Sequence, residues 1–479
     1  MSTHWRKTNT SYGRRGKYTS SYTRLGSYAG PGRKSDTVPE PPSPPLGSLL
    51  ATIASNDLVG ELQSTSPNAT PQIKDCKLVA SYTWLNARTP TLLVPGMPPT
   101  WTPLSNAVKL PEDKGEYFRD QNAARYPSHP MQPAIEAILT HDPNFESNEV
   151  DLIGCGSTLG NLLRFSRNVD LSKKYRIIVE VVGSTVFFIR RENSPTQKNP
   201  NVRGYGHTFP EAYTTWDSEV RGSESHQRII KYNFAELTCV VRFEGDGYHA
   251  DMVSKELTTS VEGSSREHTA ERDLSAALEN NTVSVRTPVA DEKLTVWKGG
   301  QVIPQSAVFD LKTRTITRKN ADILGEELPR LWISQIPNFV LAFHRFGVFE
   351  EIQTLDTRER VRLWEEEQKD NLRRFAALLK MLISFALGRP DGRFELIHDE
   401  DGTVLELREV EEDVPRALPE RLKYRWTQRL VEGTKSLEEV KEPDDEELKH
   451  DWDNESEGSF KDYTACSASV CGYCGHCKY

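Results

Sequence analysis

Large apolar residues are concentrated in residues 151–426, and their spacing there predicts strands that alternate with helices. Residues 175–190 are apolar and β-branched on both sides of Gly183-Ser184, which predicts a β-hairpin. Further short apolar stretches predict strands within residues 227–248, 307–313, 339–343 and 394–410. Apolar positions at helical spacing predict the longest helix over residues 356–387. These elements indicate a mixed α/β domain, which we place at residues 151–430.

The chain before this domain has a composition that does not build a core of its own. Residues 1–45 join a basic repeat of Tyr, Ser, Gly and Arg to a Pro-rich spacer, and we expect this arm to be disordered. Because prolines recur through residues 46–150, we expect that segment to wrap the domain as extended chain. Its first part, residues 46–62, could form a short amphipathic helix.

Three other segments lack the periodicity of packed elements. Residues 251–295 are polar and charged, and we interpret them as a long insertion within the domain. Residues 431–465 form an acidic linker, and residues 466–479 form a cysteine-rich tail. We therefore expect one packed domain between disordered N- and C-terminal arms.

The glycine-rich stretch Gly154-Cys-Gly-Ser-Thr-Leu-Gly160 loosely resembles a loop that cradles a phosphate. It lacks the lysine that a P-loop carries, so the sequence favours a turn that leads into a short helix. Ser157 or Thr158 is available as the cap of that helix, because a hydroxyl oxygen can accept a hydrogen bond from a free amide of the first turn.

Positive and negative residues are concentrated in different segments of the chain, although the net charge is only −9. Residues 1–35 contain eight Lys or Arg and no acid, whereas residues 435–465 contain twelve acids against four Lys. The basic arm is suited to the phosphates of RNA, and the acidic segment is suited to a protein partner or to the arm itself.

Several classes of protein do not fit this sequence. No stretch approaches the roughly 18 apolar residues of a membrane span, and no apolar run follows the basic start as in a secretory signal. Four of the seven cysteines are crowded into the last fourteen residues, which is unlike a secreted disulfide scaffold. We expect a protein of the nucleus or cytoplasm; a mitochondrial transit peptide is disfavoured because the basic start has few apolar residues.

Acidic residues end two short predicted strands, which is where functional sites often lie. Alternate residues of a strand share a face, so Glu244 and Asp246 project together, and so do Asp310 and Lys312. If these strands are neighbours, three carboxylates and one ammonium group converge. Carboxylate oxygens suit Mg²⁺ or Mn²⁺, and such a metal with a lysine can support phosphodiester hydrolysis. Each pair alone is also typical of a solvated strand face.

Four motifs in one order resemble the PD-(D/E)XK nuclease core and, more narrowly, the DXO-type decapping exoribonucleases. The motifs are Gly204-Tyr-Gly-His-Thr-Phe-Pro-Glu211, Glu244-Gly-Asp246, Asp310-Leu-Lys-Thr313 and Trp332-Ile-Ser-Gln335. The resemblance implies a mixed β-sheet with flanking helices and metal-dependent cleavage at RNA 5′ ends. The residues it singles out are Glu211, Glu244, Asp246 and Asp310 as metal ligands, Asp310, Lys312 and Gln335 as catalytic residues, and Tyr205 as a substrate-binding residue. Arg203, beside the first motif, could hold a phosphate through two hydrogen bonds or form a surface ion pair, and Gln335 could equally cap a strand.

The chain departs from the motifs of this family at three points. Asp310 stands where the family has Glu, Pro210 interrupts the first motif, and the stretch from Asp246 to Asp310 is far longer. Two other functions therefore stay open: a catalytically decayed nuclease fold that binds RNA or acts as a scaffold, and a DNA nuclease on the same core.

The C-terminal tail carries a second candidate metal site. Its ligands would be Cys466, Cys471, Cys474 and Cys477. Four thiolates can hold Zn²⁺ tetrahedrally, and the Cys-x2-Cys-x2-Cys spacing is also seen at iron–sulfur clusters. The spacing favours zinc over a cluster, and a tail without metal is the third alternative.

Overall fold

The computed structural model describes residues 40–58, 71–114, 117–199, 202–253 and 293–428. Most of the predicted basic arm and insertion, the acidic linker and all four tail cysteines lie outside the described residues. Their predicted disorder and metal binding therefore stay predictions. The tail residues concerned are Cys466, Cys471, Cys474 and Cys477.

The described residues form seventeen strands, which we number in chain order. They are β1 (Leu49–Ala54), β2 (Ile73–Leu85), β3 (Thr91–Pro95), β4 (Thr100–Trp101), β5 (Leu152–Cys155), β6 (Tyr175–Val182), β7 (Thr185–Arg191), β8 (Thr214–Thr215), β9 (Ser223–Phe234), β10 (Leu237–Glu244), β11 (Gly247–Tyr248), β12 (Thr295–Gly299), β13 (Val308–Thr315), β14 (Asn338–Arg345), β15 (Val348–Asp356), β16 (Arg393–His398) and β17 (Val404–Arg408).

Eight α-helices accompany these strands in the part of the chain that the structure describes. They are α1 (Gln121–Arg125), α2 (Gln132–His141), α3 (Gly156–Arg167), α4 (Thr208–Tyr213), α5 (Ile323–Ser334), α6 (Arg358–Glu367), α7 (Lys369–Gly388) and α8 (Glu420–Thr427). None of the described helices combines the length and apolar character that crossing a bilayer requires.

The strands are arranged in two mixed sheets. The larger sheet has the order β1-β17-β16-β6-β7-β5-β10-β9-β2-β3-β12, and the smaller has the order β15-β14-β13-β11-β4-β8. In the larger sheet β5 runs parallel to β7 and β10, whereas β9 and β10 are antiparallel. In the smaller sheet β13 runs parallel to β14, which is antiparallel to β15. This arrangement confirms the predicted mixed α/β class with mixed β-sheets and flanking helices.

Apolar side chains pack on both faces of the larger sheet. Val241 of β10 joins the core under α3 and α5, with Leu162 and Trp332. Its neighbour Val240 joins the opposite core under α2 and α8, with Ile138. Coverage of both faces explains why β6, β7 and β10 are apolar along most of their length instead of alternating with polar residues.

The predicted hairpin and the strands predicted at 227–248 and 394–410 are confirmed, but the segment before residue 151 was interpreted wrongly. Strand pairs β6–β7, β9–β10 and β16–β17 lie where the apolar runs predict them. The helix expected over residues 46–62 was wrong for residues 49–54, which form strand β1 and pair with β17. Residues 59–62 of that stretch lie outside the described residues. Within 46–150, the four strands β1–β4 and helix α2 belong to the sheets and core. The described prolines lie at strand ends, in connections and, in the case of Pro133, in the first turn of α2, so they do not prevent strand pairing.

The long helix predicted over residues 356–387 is two helices. α6 ends and α7 begins at Gln368, whose backbone leaves the helical region (φ −95°, ψ 11°). The Gln368 side-chain oxygen accepts hydrogen bonds from Arg167 Nε (3.2 Å) and Asn371 Nδ2 (2.8 Å). Neither proline nor glycine lies at this break, and the apolar residues keep helical spacing across it. The hydrophobic pattern therefore predicts one continuous helix.

Candidate active site

The two predicted acidic strand ends meet where the larger sheet gives way to the smaller one. β10 ends at Glu244, two residues follow, and β11 then pairs antiparallel with β13 in the smaller sheet. A Cβ atom at Gly247 would overlap the ring of Phe309, so the close pairing of β11 and β13 requires glycine there. A cavity of about 530 Å³ opens at this junction and is lined by Glu244, Asp246 and Asp310.

Asp246 and Asp310 are in contact at the floor of this cavity. Asp246 Oδ2 accepts a hydrogen bond from the Leu311 amide at 2.7 Å, which fixes its carboxylate beside β13. Burial raises the pKa of Asp246 well above its ordinary value, and the negative charge of Asp310 raises it further. Asp310 is 3% exposed, and its buried Oδ1 has no hydrogen-bond partner.

Glu244 faces the same cavity from the end of β10. The surrounding protein desolvates its carboxylate, and the charges of Asp120 and Asp310 add to this effect, so the pKa of Glu244 is raised to about 7. Arg242 acts in the opposite direction. The three predicted carboxylates thus influence one another electrostatically.

Lys312 belongs to a chain of alternating charges beside these acids. Arg330 of α5 forms an ion pair with Asp310, and its Nε donates to Glu327 at 3.0 Å. Glu327 also holds the Lys312 ammonium at 3.1 Å. Although burial opposes it, the positive charges of Arg330 and Lys312 lower the pKa of Glu327. Lys312 is therefore fixed near the acids by a partner on the neighbouring helix.

The predicted substrate-binding residues line a second cavity of about 560 Å³, which adjoins the first. Arg203, Tyr205 and Lys312 line it, and it shares His207, Asp246 and Arg330 with the first cavity, among others. The Tyr205 ring packs against His344 with centroids 4.5 Å apart. The two cavities together form one cleft, which we call the acidic cleft.

Two further predicted residues have different placements. Glu211 of α4 is exposed and lines the acidic cleft. Gln335 has a left-handed backbone (φ 49°) at the end of α5, and its side-chain amide donates to the Trp332 carbonyl at 2.6 Å. This placement favours a helix-capping role for Gln335 over the predicted catalytic one.

Other residues of the cleft escaped the sequence interpretation. His226 is buried, its Nδ1 lies 2.9 Å from Thr83 Oγ1, and its Nε2 has no partner. Burial and the charge of Arg228 hold the pKa of His226 well below its ordinary value, so it is neutral at pH 7. Arg242 lies two positions before Glu244 and shares its face of β10, a relation that the strand spacing alone could have revealed. Arg330 comes from α5, and no spacing rule connects it with β13.

The described residues contain no group of three or more His, Cys, Asp or Glu side chains arranged to hold a metal ion. The predicted three-carboxylate site is therefore not fully assembled. The chemistry of the acids still fits a hard divalent cation, because Asp310 Oδ1 is a buried oxygen without a partner beside a second carboxylate. Added positive charge would offset the burial and the mutual repulsion that raise the pKa values of Glu244 and Asp246.

Comparison with known protein families gives a match to most of the described chain. The family described as Domain of unknown function (DUF8563) matches residues 61–425. The chain belongs to this family. The match begins well before residue 151, in agreement with the strands that the preceding segment contributes. A comparison with curated proteins found no match.

Solved structures that are similar to this member of the family include three fungal proteins. Rai1 from S. pombe is 12% identical, with 75% of this chain and 99% of that chain covered and a TM-score of 0.47. Rai1 from Scheffersomyces stipitis, in complex with (3′-NADP)⁺ and calcium ion, is 12% identical, with 79% and 100% covered and a TM-score of 0.47. Dxo1 from K. lactis, in complex with manganese, is 10% identical, with 77% and 98% covered and a TM-score of 0.41.

Proposed function

We propose that the acidic cleft hydrolyses phosphodiester bonds with a divalent metal ion, and that its substrate is the 5′ end of RNA. The observation that carries this proposal is the unpartnered Oδ1 of Asp310 beside the Asp246 carboxylate, in a cleft wide enough for a nucleotide. Preference for RNA 5′ ends is supported by the order of the four motifs around this cleft.

Each acidic side chain has a role in this proposal. Glu244, Asp246 and Asp310 would hold Mg²⁺ or Mn²⁺, and Glu211 faces the same cavity. When bound, the metal activates water and neutralises charge on the phosphate oxygens. Asp246 is positioned for this task by the Leu311 amide, so its carboxylate is already oriented toward Asp310.

Lys312 supplies positive charge from the adjoining part of the cleft. Glu327 fixes its ammonium group, so the group is oriented before substrate arrives. An ammonium held in this way stabilises negative charge as it develops on the phosphate. Arg203 lines the same cavity and is suited to a second phosphate contact, because a guanidinium can donate two parallel hydrogen bonds.

The proposal is tested by incubating the full chain with Mn²⁺ and RNA that carries a cap, a triphosphate or a monophosphate at its 5′ end. DNA of the same sequence is the comparison. We expect products from the 5′ end of RNA that EDTA suppresses. Equal cleavage of DNA would make the cleft a general nuclease, and absence of cleavage of every substrate would contradict the proposal.

Replacing Lys312 with Ala should lower the rate of this hydrolysis by on the order of 10²-fold or more, because the mutant lacks the positive charge aimed at the phosphate. The fold should be retained, since the Lys312 side chain is 34% exposed. Single-turnover rates measure the effect. Lys319→Ala is the matched control, because Lys319 pairs with Glu351 at the surface. Equal rates for Lys312→Ala and the wild type would remove Lys312 from the mechanism.

A second candidate function is a decayed nuclease fold that binds RNA without cutting it. Two observations favour it: Arg330 already neutralises Asp310, and no three-ligand group is assembled in the described residues. The response of the melting temperature to Mn²⁺ separates the two functions. Stabilisation that disappears in Asp310→Asn supports a metal site. An unchanged melting temperature with retained RNA binding supports the second candidate.

A further inference from the structure

The junction of β5 and α3 opens onto the acidic cleft with the free amides of a helix N-terminus. The twelve-residue α3 begins at Gly156, directly after the last residue of β5, and Gly156 and Ser157 line the cavity. Cys155 is the N-cap and offers no side-chain hydrogen bond to the helix, and the first turn contains no acid. The expected caps Ser157 and Thr158 lie inside the first turn, with hydroxyls 3.2 Å and 2.8 Å from Cys155 Sγ.

Arg242 approaches the same corner of the cavity from the neighbouring strand. It is the partner of Cys155 in the parallel register of β10 and β5, and it lines the cavity. Arg242 is 7% exposed, yet its Nε and Nη1 have no hydrogen-bond partners. It shares a face of β10 with Val240, which lies in the core opposite α3. Arg242 therefore extends from one face of the larger sheet, whereas α3 packs on the other face. Both line the cavity at the end of β5 and β10.

The other cations of this corner are already paired. Arg190 forms an ion pair with Glu192, and Arg119 pairs with Glu192 at 3.4 Å and with Glu40 at 2.9 Å.

Arg242 is hydrogen-bonded to the Tyr82 side chain, and the acids Asp120 and Glu244 act on it electrostatically. Asp120 caps the N-terminus of α1, and its Oδ1 accepts hydrogen bonds from the amides of Asn122 and Ala123. Arg242 thus keeps donor capacity that neither neighbouring acid satisfies.

We propose that the β5–α3 junction and Arg242 form a phosphate subsite, which takes the terminal phosphoryl group of a 5′-phosphorylated nucleotide chain. Helix N-termini bind phosphate through free amides and the positive end of the helix dipole. Arg242 supplies the cation that the glycine-rich stretch 154–160 lacks within its own sequence. The sequence favours a simple turn there; the structure adds the missing charge from the adjacent strand.

The distance from the subsite to the proposed metal ligands matches the spacing between neighbouring phosphates of a nucleotide chain. Arg242 and Glu244 are two residues apart on one face of β10, so their positions differ by about 7 Å. This is close to the separation of neighbouring phosphates in an extended nucleotide chain. Placement of the next phosphodiester at the carboxylates rests on the proposed function, whereas phosphate binding at the subsite does not.

The test measures binding of two five-residue oligoadenylates to the full chain in EDTA, one with a 5′-phosphate and one with a 5′-hydroxyl. We expect the wild type to bind the phosphorylated form at least about tenfold more tightly, because charge-assisted hydrogen bonds hold the phosphate. Arg242→Gln should abolish this preference and leave the affinity for the 5′-hydroxyl form unchanged. Arg190→Gln is the matched control, since that guanidinium lines the same cavity but is paired with Glu192.

A second pair of variants tests the helix amides without touching Arg242. Ser157→Pro removes one amide donor from the first turn, where proline is tolerated, and should reduce the preference severalfold. Ser157→Ala keeps the amide and should retain most of the preference. If Arg242→Gln fails to fold, the comparison of Ser157→Pro with Ser157→Ala still tests phosphate binding at the subsite.

Two outcomes would overturn the subsite: equal binding of both oligonucleotides by the wild type, or a preference that survives both Arg242→Gln and Ser157→Pro. Asp310→Asn separates the two proposals, because it should abolish hydrolysis while the preference for the 5′-phosphate in EDTA persists. A preference in a chain that never cleaves RNA would sustain the subsite and contradict only the proposed hydrolysis.

Discussion

Replacing Asp310 with Asn should lower Mn²⁺-dependent hydrolysis of RNA 5′ ends by on the order of 10³-fold or more. The substitution keeps the size of the side chain and removes the negative charge of the most deeply buried acid in the cleft. An amide is a much weaker ligand for Mg²⁺ or Mn²⁺ than a carboxylate. Arg330 keeps its second partner, Glu327, so the fold should be retained. Single-turnover rates and the melting temperature measure the two effects.

Asp356→Asn is the control for the loss of one acidic charge. Asp356 ends β15, its side chain is 60% exposed, and its partner Arg358 lies at the surface. This control should hydrolyse RNA at the wild-type rate. Wild-type activity of Asp310→Asn itself would show that the acidic cleft is not the site of hydrolysis.

Replacing Glu395 with Ala should lower the free energy of unfolding by about 3–5 kcal/mol. Glu395 of β16 is fully buried, and its two oxygens accept hydrogen bonds from Arg176 (2.6 Å and 2.7 Å) and Arg191 (2.8 Å). Removal of the carboxylate leaves two largely buried guanidinium groups without their shared partner. Arg176 also holds the chain at residues 43–45 through hydrogen bonds, so loss of its partner should loosen that segment as well.

Urea denaturation measures the change in the free energy of unfolding. Glu409→Ala is the control, because Glu409 pairs with Arg389 near the surface and should contribute at most about 1 kcal/mol. A loss for Glu395→Ala no larger than that of the control would show that the buried ion pairs do not stabilise the fold as argued.

The fold was predictable where the hydrophobic pattern is local. The β6–β7 hairpin follows from apolar runs on both sides of Gly183-Ser184, and the structure confirms it. Strand β1 was not predictable in this way, because its pairing with β17 joins residues at least 350 positions apart. The break at Gln368 also escaped prediction, because a hydrogen bond from Arg167 of a different helix stabilises it.

The acids of the candidate site were predictable because alternate strand positions share a face. That rule selected Glu244 with Asp246 and Asp310 with Lys312, and the structure brings these four residues to one cleft. Arg330 was not predictable, because only the packing of α5 against β13 brings it to Asp310. The same spacing rule places Arg242 on the face of β10 that carries Glu244.

The acidic cleft joins residues from two sheets, and this has a consequence for heat inactivation. Glu244 belongs to the larger sheet, whereas Asp310 belongs to the smaller one, in which β4, β8 and β11 have only two residues each. Few backbone hydrogen bonds therefore hold Asp246 beside Asp310. Local unfolding of β11 alone would separate these carboxylates while the larger sheet stays intact. A chain that loses the acidic cleft on mild warming should keep nearly all of its strand content and recover the cleft when cooled.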